Sequence, residues 1–423
     1  MAKIIVAAPP VPGELIPLLQ IARGLAARGH QITVLTGSGF RDSVEEAGLA
    51  FAPLAGDADY DIKELIAERD RAELPPGPPQ LNFDWIHAFV NPMPGEYTAL
   101  QELLAKDPDQ YLISNILFLG AWPVRHGAPG LAPLRWVAVS AVPLALASAD
   151  TTFLGPIPGL SGQEAKEAHR AANAGFAAAL RPVDDRVNEV FGELGAGASS
   201  TSFVDAIYTL ADETAVLTVP GFEFERSDQP DNVHLVGALP GLAAEGWQPP
   251  AWWDELDGDR PVVVVTQGTL TNGDLSQLVE PALAGLADLD VTVIAALGRD
   301  PEGLAAPIPD NAHVAEFIPF GALLPKADVF VTNGGAGSIH QALAAGVPVV
   351  VAGETEDKPA NAARVAHHGL GINLLTGTPT PEAVAEAVKS LIDDAEVRAN
   401  VQRLTKVYAE HDPIDTIERL TLG

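Results

Sequence analysis

FIPFGALLPKADVFVTNGGAGSIHQALAAGVPVVVAGETEDKPAN, residues 317–361, is the stretch on which the reading of this chain turns. Residues 327–332 (ADVFVT) are an apolar, β-branched run of buried-strand type. Asn333-Gly334-Gly335-Ala336-Gly337-Ser338 follows at once. Three glycines in four residues let the backbone turn sharply and approach a ligand closely, and Ser338 can cap the helix expected over 338–345. Gly346 ends that helix, Pro348 follows, and residues 347–351 form the next buried strand. A helix that opens on free N–H groups suits a phosphate. The same turn also serves close packing of helix on strand, so the pattern alone leaves both readings open.

Working outward, the 423 residues are too many for one compact core, and two domains are expected. Residues 4–8, an apolar helix over 14–27 and residues 31–36 make a β-α-β opening, and strands at 49–54, 111–116, 136–140 and 215–218 continue it. The run 240–259 is rich in Gly, Ala and Pro and reads as the linker. A second set of strands at 261–266, 291–295, 313–317, 329–332 and 347–351 repeats the design. The domain expectation is therefore 1–239, a linker 240–259, a second domain 260–403 and a C-terminal helix 404–423.

The chain carries 25 basic and 56 acidic residues, a net charge of −31, which argues against nucleic acid or an anionic membrane as partner. It has no cysteine, so disulfides and thiolate chemistry are excluded. No apolar run reaches membrane-spanning length without Pro or charge, and the first strand begins at Ile4, so a cytoplasmic protein is expected. A glycine loop and a helix N-terminus can hold the phosphates by themselves, and no metal or cofactor is expected. Whether the chain is a monomer or a homodimer is left open.

The wording of residues 317–361 resembles the donor-binding signature of the family 1 glycosyltransferases, the UDP-glycosyltransferase superfamily, in its bacterial natural-product branch. The resemblance covers nearly the whole chain. It implies an α/β protein of GT-B fold: two facing, Rossmann-like, doubly wound domains with an interdomain cleft. It further implies a UDP- or dTDP-sugar on the second domain and a small, mostly apolar, phenolic or polyketide-like acceptor on the first.

Carried onto this sequence, the resemblance assigns Phe317 to the nucleotide base, with Pro319 beside it, and Thr269 to the diphosphate. Asn333, Gly335, Ala336, Gly337 and Ser338 form the phosphate cradle, Gln341 meets the ribose, and Asp357 with Lys358 meets the sugar. Asn333 stands where relatives often have His. It donates a neutral hydrogen bond but supplies no proton and no charge. Lys358 replaces the usual Gln.

The second departure concerns the base. Gly13-Glu14-Leu15-Ile16-Pro17 matches a Gly-His-x-x-Pro motif in which the His deprotonates the acceptor, so Glu14 occupies the position of the base. Asn115 matches the Asp that orients that His. The exchanges are compatible, because a carboxylate has no tautomer to fix and a neutral Asn avoids like-charge repulsion. Glu14 also suits the first turn of a helix through the dipole alone. The acceptor pocket is expected from Trp85, His87, Phe89, Phe118, Trp122 and Phe153, with His87 the alternative base. An accessory protein that binds without turnover, and a nucleotide-sugar hydrolase or epimerase, are the rival functions. A dehydrogenase is disfavoured because no Gly-x-Gly-x-x-Gly follows the first strand.

Overall fold

The computed structural model describes residues 1–67, 71, 73–75, 77–241, 246–268 and 272–423. These fall into two units, 1–217 with 226–236 and 413–423, and 218–225 with 237–412.

The first unit holds seven strands: β1 (Lys3–Ala7), β2 (Gln31–Thr36), β3 (Ala50–Pro53), β4 (Tyr111–Asn115), β5 (Trp136–Ser140), β6 (Glu213–Val216) and β7 (Val233–Leu235). All pairs are parallel, in the order β3-β2-β1-β4-β5-β6-β7. The second unit holds β8 (Val262–Thr266), β9 (Thr292–Ala296), β10 (Ala312–Ala315), β11 (Val329–Thr332), β12 (Val349–Val351) and β13 (Gly371–Asn373). Its order is β10-β9-β8-β11-β12-β13, again all parallel. Each sheet reverses its winding at one place, between β1 and β4 in the first and between β8 and β11 in the second. The crevice outside the carboxyl ends of the strands at such a switch point is where ligands bind doubly wound sheets.

The strands read as continuous apolar runs because helices cover both faces. The helix Pro12–Ala27 shows why. Pro12 starts it without losing a needed N–H, and Leu15, Leu18, Ile21, Ala22 and Leu25 fall on one buried stripe. Each unit has its own core, around Leu112, Phe118, Trp122 and Phe191 in the first and around Val264, Phe330, Leu343 and Val349 in the second.

Three expectations are corrected here. The strands β7 and β13 carry no clear period over three residues each and were not expected. Residues 218–225 belong with the second unit, not with 1–239. The reason is a buried ion pair: Arg364 reaches Glu223 at 3.1, 3.0 and 2.6 Å, and its guanidinium stacks over Phe224 at 4.4 Å. Residues 404–412 also stay with the second unit, because Leu404 and Tyr408 on the helix Ala395–Ala409 are buried in its core. The helix that joins the first unit is Pro413–Leu422, held by Ile414 against Gly24 and by Glu418 to Arg28 and His30 at 2.5 and 2.7 Å.

Candidate active site

In the first unit, Glu14 stands in the first turn of the helix that follows β1, and Asn115 is the last residue of β4. Residues 101 positions apart thus meet at the switch point. Asn115 is fully buried and donates its Nδ2–H to Glu14 Oε2 at 2.6 Å. Its Oδ1 accepts the Leu117 N–H at 2.7 Å, which settles which way the amide faces. An amide so oriented offers the carboxylate a donor and no competing charge.

The expected acceptor wall divides. Phe89, Phe118 and Trp122 are buried in the core, with 8, 0 and 2% of their surface exposed, so they act as packing and the structure corrects their assignment. Trp85 is half-buried and lies 5.2 Å from Phe203 between ring centres. His87 is exposed in a π-helical turn, Ile86–Val90, and stacks on Phe83 at 4.1 Å. Phe153 is half-buried and stacks on Phe176 at 6.4 Å.

In the second unit the equivalent edge is built from backbone. Gln267-Gly268 follows β8 and Asn333-Gly334 follows β11. Asn333 Nδ2 donates to the Gln267 carbonyl at 2.6 Å and so ties the two loops together. Gly334 has a φ of 101° that only glycine takes without strain. A Cβ at Gly353 would stand 1.9 Å from the Asn333 carbonyl oxygen, so the loop after β12 presses its backbone on the one after β11. Thr269 lies outside the described residues.

The helix Ala336–Ala344 begins two residues earlier than expected, with Gly335 as its N-cap. Ser338 is therefore no cap. It sits inside the first turn and donates its hydroxyl to the Gly335 carbonyl at 2.9 Å. Gly335, Ala336 and Gly337 supply the N-terminal N–H groups, and Gln341 is half-buried one turn on. Phe317 is 58% exposed while Ile318 and Pro319 beside it are buried, so its ring is not a core residue.

The helix Lys358–His367 presents Asp357 at its start. Asn361 Nδ2 bonds both the Gly334 carbonyl at 2.9 Å and Asp357 Oδ2 at 3.0 Å, linking cradle and acid. Loss of water around Asp357 pushes its carboxyl up, while Asn361 and Lys358 pull it down. Lys358 is buried, and its Nζ goes to Thr355 Oγ1 at 3.1 Å and to the Glu356 carboxylate. Its charge is thus spent within the loop. Glu356 has a φ of 58°, a strained value for glutamate and of the kind found beside ligands. Sequence reasoning passed over Gly353 and Glu356. A glycine two residues past a buried strand was the available signal for the first.

Among the described residues no group of three His, Asp or Glu is arranged to hold a metal ion, and no helix is long and apolar enough to cross a membrane.

Residues 280–421 match the family described as erythromycin biosynthesis protein CIII-like, C-terminal domain. The chain is 35% identical to UDP-glycosyltransferase 2 of Phaeomoniella chlamydospora, over 98% of this chain and 94% of that protein. It is 34% identical to 4'-demethylrebeccamycin synthase of Lentzea aerocolonigenes, over 99% of each. The solved glycotransferase of kitacinnamycin has the same fold, with a TM-score of 0.74, 23% identity and 99% of both chains covered.

Proposed function

We propose, given that this chain belongs to the UDP-glycosyltransferase superfamily and is a GT-B glycosyltransferase, that it moves a sugar from a UDP- or dTDP-sugar to a small, largely apolar acceptor with an acidic hydroxyl. The reaction inverts the anomeric carbon and needs no metal. The observation that carries this reading is the Glu14 carboxylate held at 2.6 Å by Asn115 at the first switch point.

In this reading Glu14 takes the acceptor's hydroxyl proton as that oxygen forms its bond to the sugar C1. The C1–O bond to the diphosphate breaks on the opposite face, which inverts the centre. The nucleoside diphosphate leaves against the N–H groups of Gly335, Ala336 and Gly337, where the helix dipole meets its charge. Phe317 stacks on the base and Asp357 binds sugar hydroxyls. A free glutamate has a pKa of about 4.3, which makes it a weak base toward an alcohol, so the exchange of His for Glu fits a phenol.

The test is incubation with UDP- and dTDP-glucose and a panel of phenolic and polyketide acceptors, with and without EDTA, with NMR of the product anomer. Expected are a β-glycoside from an α-donor and an unchanged rate in EDTA. Binding without turnover sinks the transferase reading and favours an accessory role. Nucleotide release that needs no acceptor means hydrolysis.

A further inference from the structure

Glu96 has no part in the chemistry above, and its surroundings are unusual. It lies in the first turn of the helix Met93–Lys106 and is fully buried. Its Oε2 accepts the Leu119 N–H at 2.7 Å, and the Gly120 N–H also bonds the carboxyl. Its Oε1 has no hydrogen-bond partner among the described residues. A buried, ionised carboxylate without a partner for one oxygen is costly, and such a group keeps its proton instead. Burial pushes this carboxyl up to about 8, against the pull of the two N–H groups.

The N–H groups of the loop after β4 are divided between two side chains or their backbones. Those of Leu117 and Phe118 bond to Asn115, at 2.7 Å to its Oδ1 and 3.0 Å to its carbonyl. Those of Leu119 and Gly120 go to Glu96. The contact between loop and helix is backbone on backbone, since a Cβ at Gly120 would stand 2.7 Å from the Glu96 carbonyl carbon. Tyr60 reports that the pieces form one cluster. Its hydroxyl donates to the Ala88 carbonyl at 2.6 Å, and its pKa is raised first by burial and then by its nearness to the Glu96 and Glu14 carboxyls.

We propose that Glu96 is a positioning residue for sugar transfer, holding the far half of the 115–120 loop so that Asn115 stays bonded to Glu14. This rests on Glu14 as the base. When Glu96 ionises, an unpaired charge appears in the same apolar neighbourhood as Glu14. Water entering between helix and loop relieves it, and the loop releases Asn115.

The experiment measures kcat and KM across pH 6–10 for the wild type, Glu96→Gln, Glu96→Leu and Glu14→Gln, with a melting curve for each. Glu96→Gln keeps an acceptor oxygen for the Leu119 N–H but never ionises. It should retain neutral-pH kcat and lack the fall in rate expected of the wild type above about pH 8. Glu96→Leu should lower kcat about 10²-fold, the effect of a misplaced catalytic group, at unchanged donor KM.

The stability sign is also set. The folded state holds this proton up to about pH 8, and the unfolded chain only to its ordinary value near 4.3. This group's contribution to folded stability therefore falls as pH rises across that window, and Glu96→Gln lacks that contribution.

Identical rate profiles for the wild type and Glu96→Gln overturn the proposal, even if Glu96→Leu fails to fold. So does a Glu96→Leu enzyme with wild-type kcat. If Glu14→Gln keeps its turnover, the assignment of the base has failed, and the route through Asn115 fails with it. If Glu14→Gln loses turnover while the Glu96 variants behave as wild type, only the role of Glu96 is refuted.

Discussion

The two switch points carry the same device with different chemistry. In each, an asparagine at or just past the end of the strand beside the first one donates its amide, at 2.6 Å, to the segment that follows the first strand. Asn115 donates to a side-chain carboxylate, Glu14, and Asn333 donates to a backbone carbonyl, that of Gln267. A backbone cradle binds charge with groups that every residue has, so its demands fall on the glycines. A side-chain pair supplies a reactive group, so its demands fall on residue type. This explains how His can become Glu on the first edge while the glycine loop on the second keeps its pattern.

Breaking the side-chain edge should have the largest effect. Glu14→Gln keeps the size and the contact with Asn115 but removes the base, and kcat should fall roughly 10²–10⁴-fold with nucleotide affinity unchanged. Steady-state rates with a phenolic acceptor, paired with UDP titration calorimetry, check this. Turnover near that of the wild type would make Glu14 a helix-start residue and turn attention to His87.

Breaking the backbone edge should act on binding instead. Gly353→Ala sets a methyl group 1.9 Å from the Asn333 carbonyl, an overpacking worth about 1–3 kcal/mol. If the cradle carries that strain, UDP or dTDP affinity drops by roughly 5- to 150-fold while the pH profile of kcat keeps its shape. Unchanged nucleotide affinity would show that the three loops do not form one site.

The smallest effect sharpens the comparison. Lys358→Gln restores the residue usual in the family and removes an ion pair to Glu356, whose side chain is 58% exposed. Lys358 is buried but the Glu356 end of the pair stands in water, so the pair is screened and its loss should lower the melting temperature only modestly. The readout is donor choice, expressed as the ratio of kcat/KM for different UDP-sugars. A ratio identical to the wild type would mean that Lys358 only braces the 355–358 loop.

The fold was legible because its signals are local. Apolar runs of strand length, helical spacing and glycine-turned loops are written in windows of five to fifteen residues, and the strands 31–36, 136–140 and 329–332 were placed to the residue. The short strands β7 and β13 escaped because three residues carry no period. Ser338 was misplaced as a cap because a helix start depends on the dihedrals of Gly335, which composition does not show.

What the sequence determined alone was the architecture, while the phosphate cradle and the departures at Glu14, Asn115 and Asn333 were what the family resemblance implied. Tertiary structure decided which side chains are buried as packing and which stay exposed. Phe118 and Trp122 went to the core while Phe317 stayed in the open. Glu96 met Leu119 across 23 residues, Asn115 met Glu14 across 101 and Arg364 met Glu223 across 141. These pairings depend on the order of strands in a parallel sheet, where each crossover brings together residues distant in sequence. No local pattern encodes that distance, so a buried glutamate whose proton is held by its surroundings looks in sequence like any other glutamate on a helix.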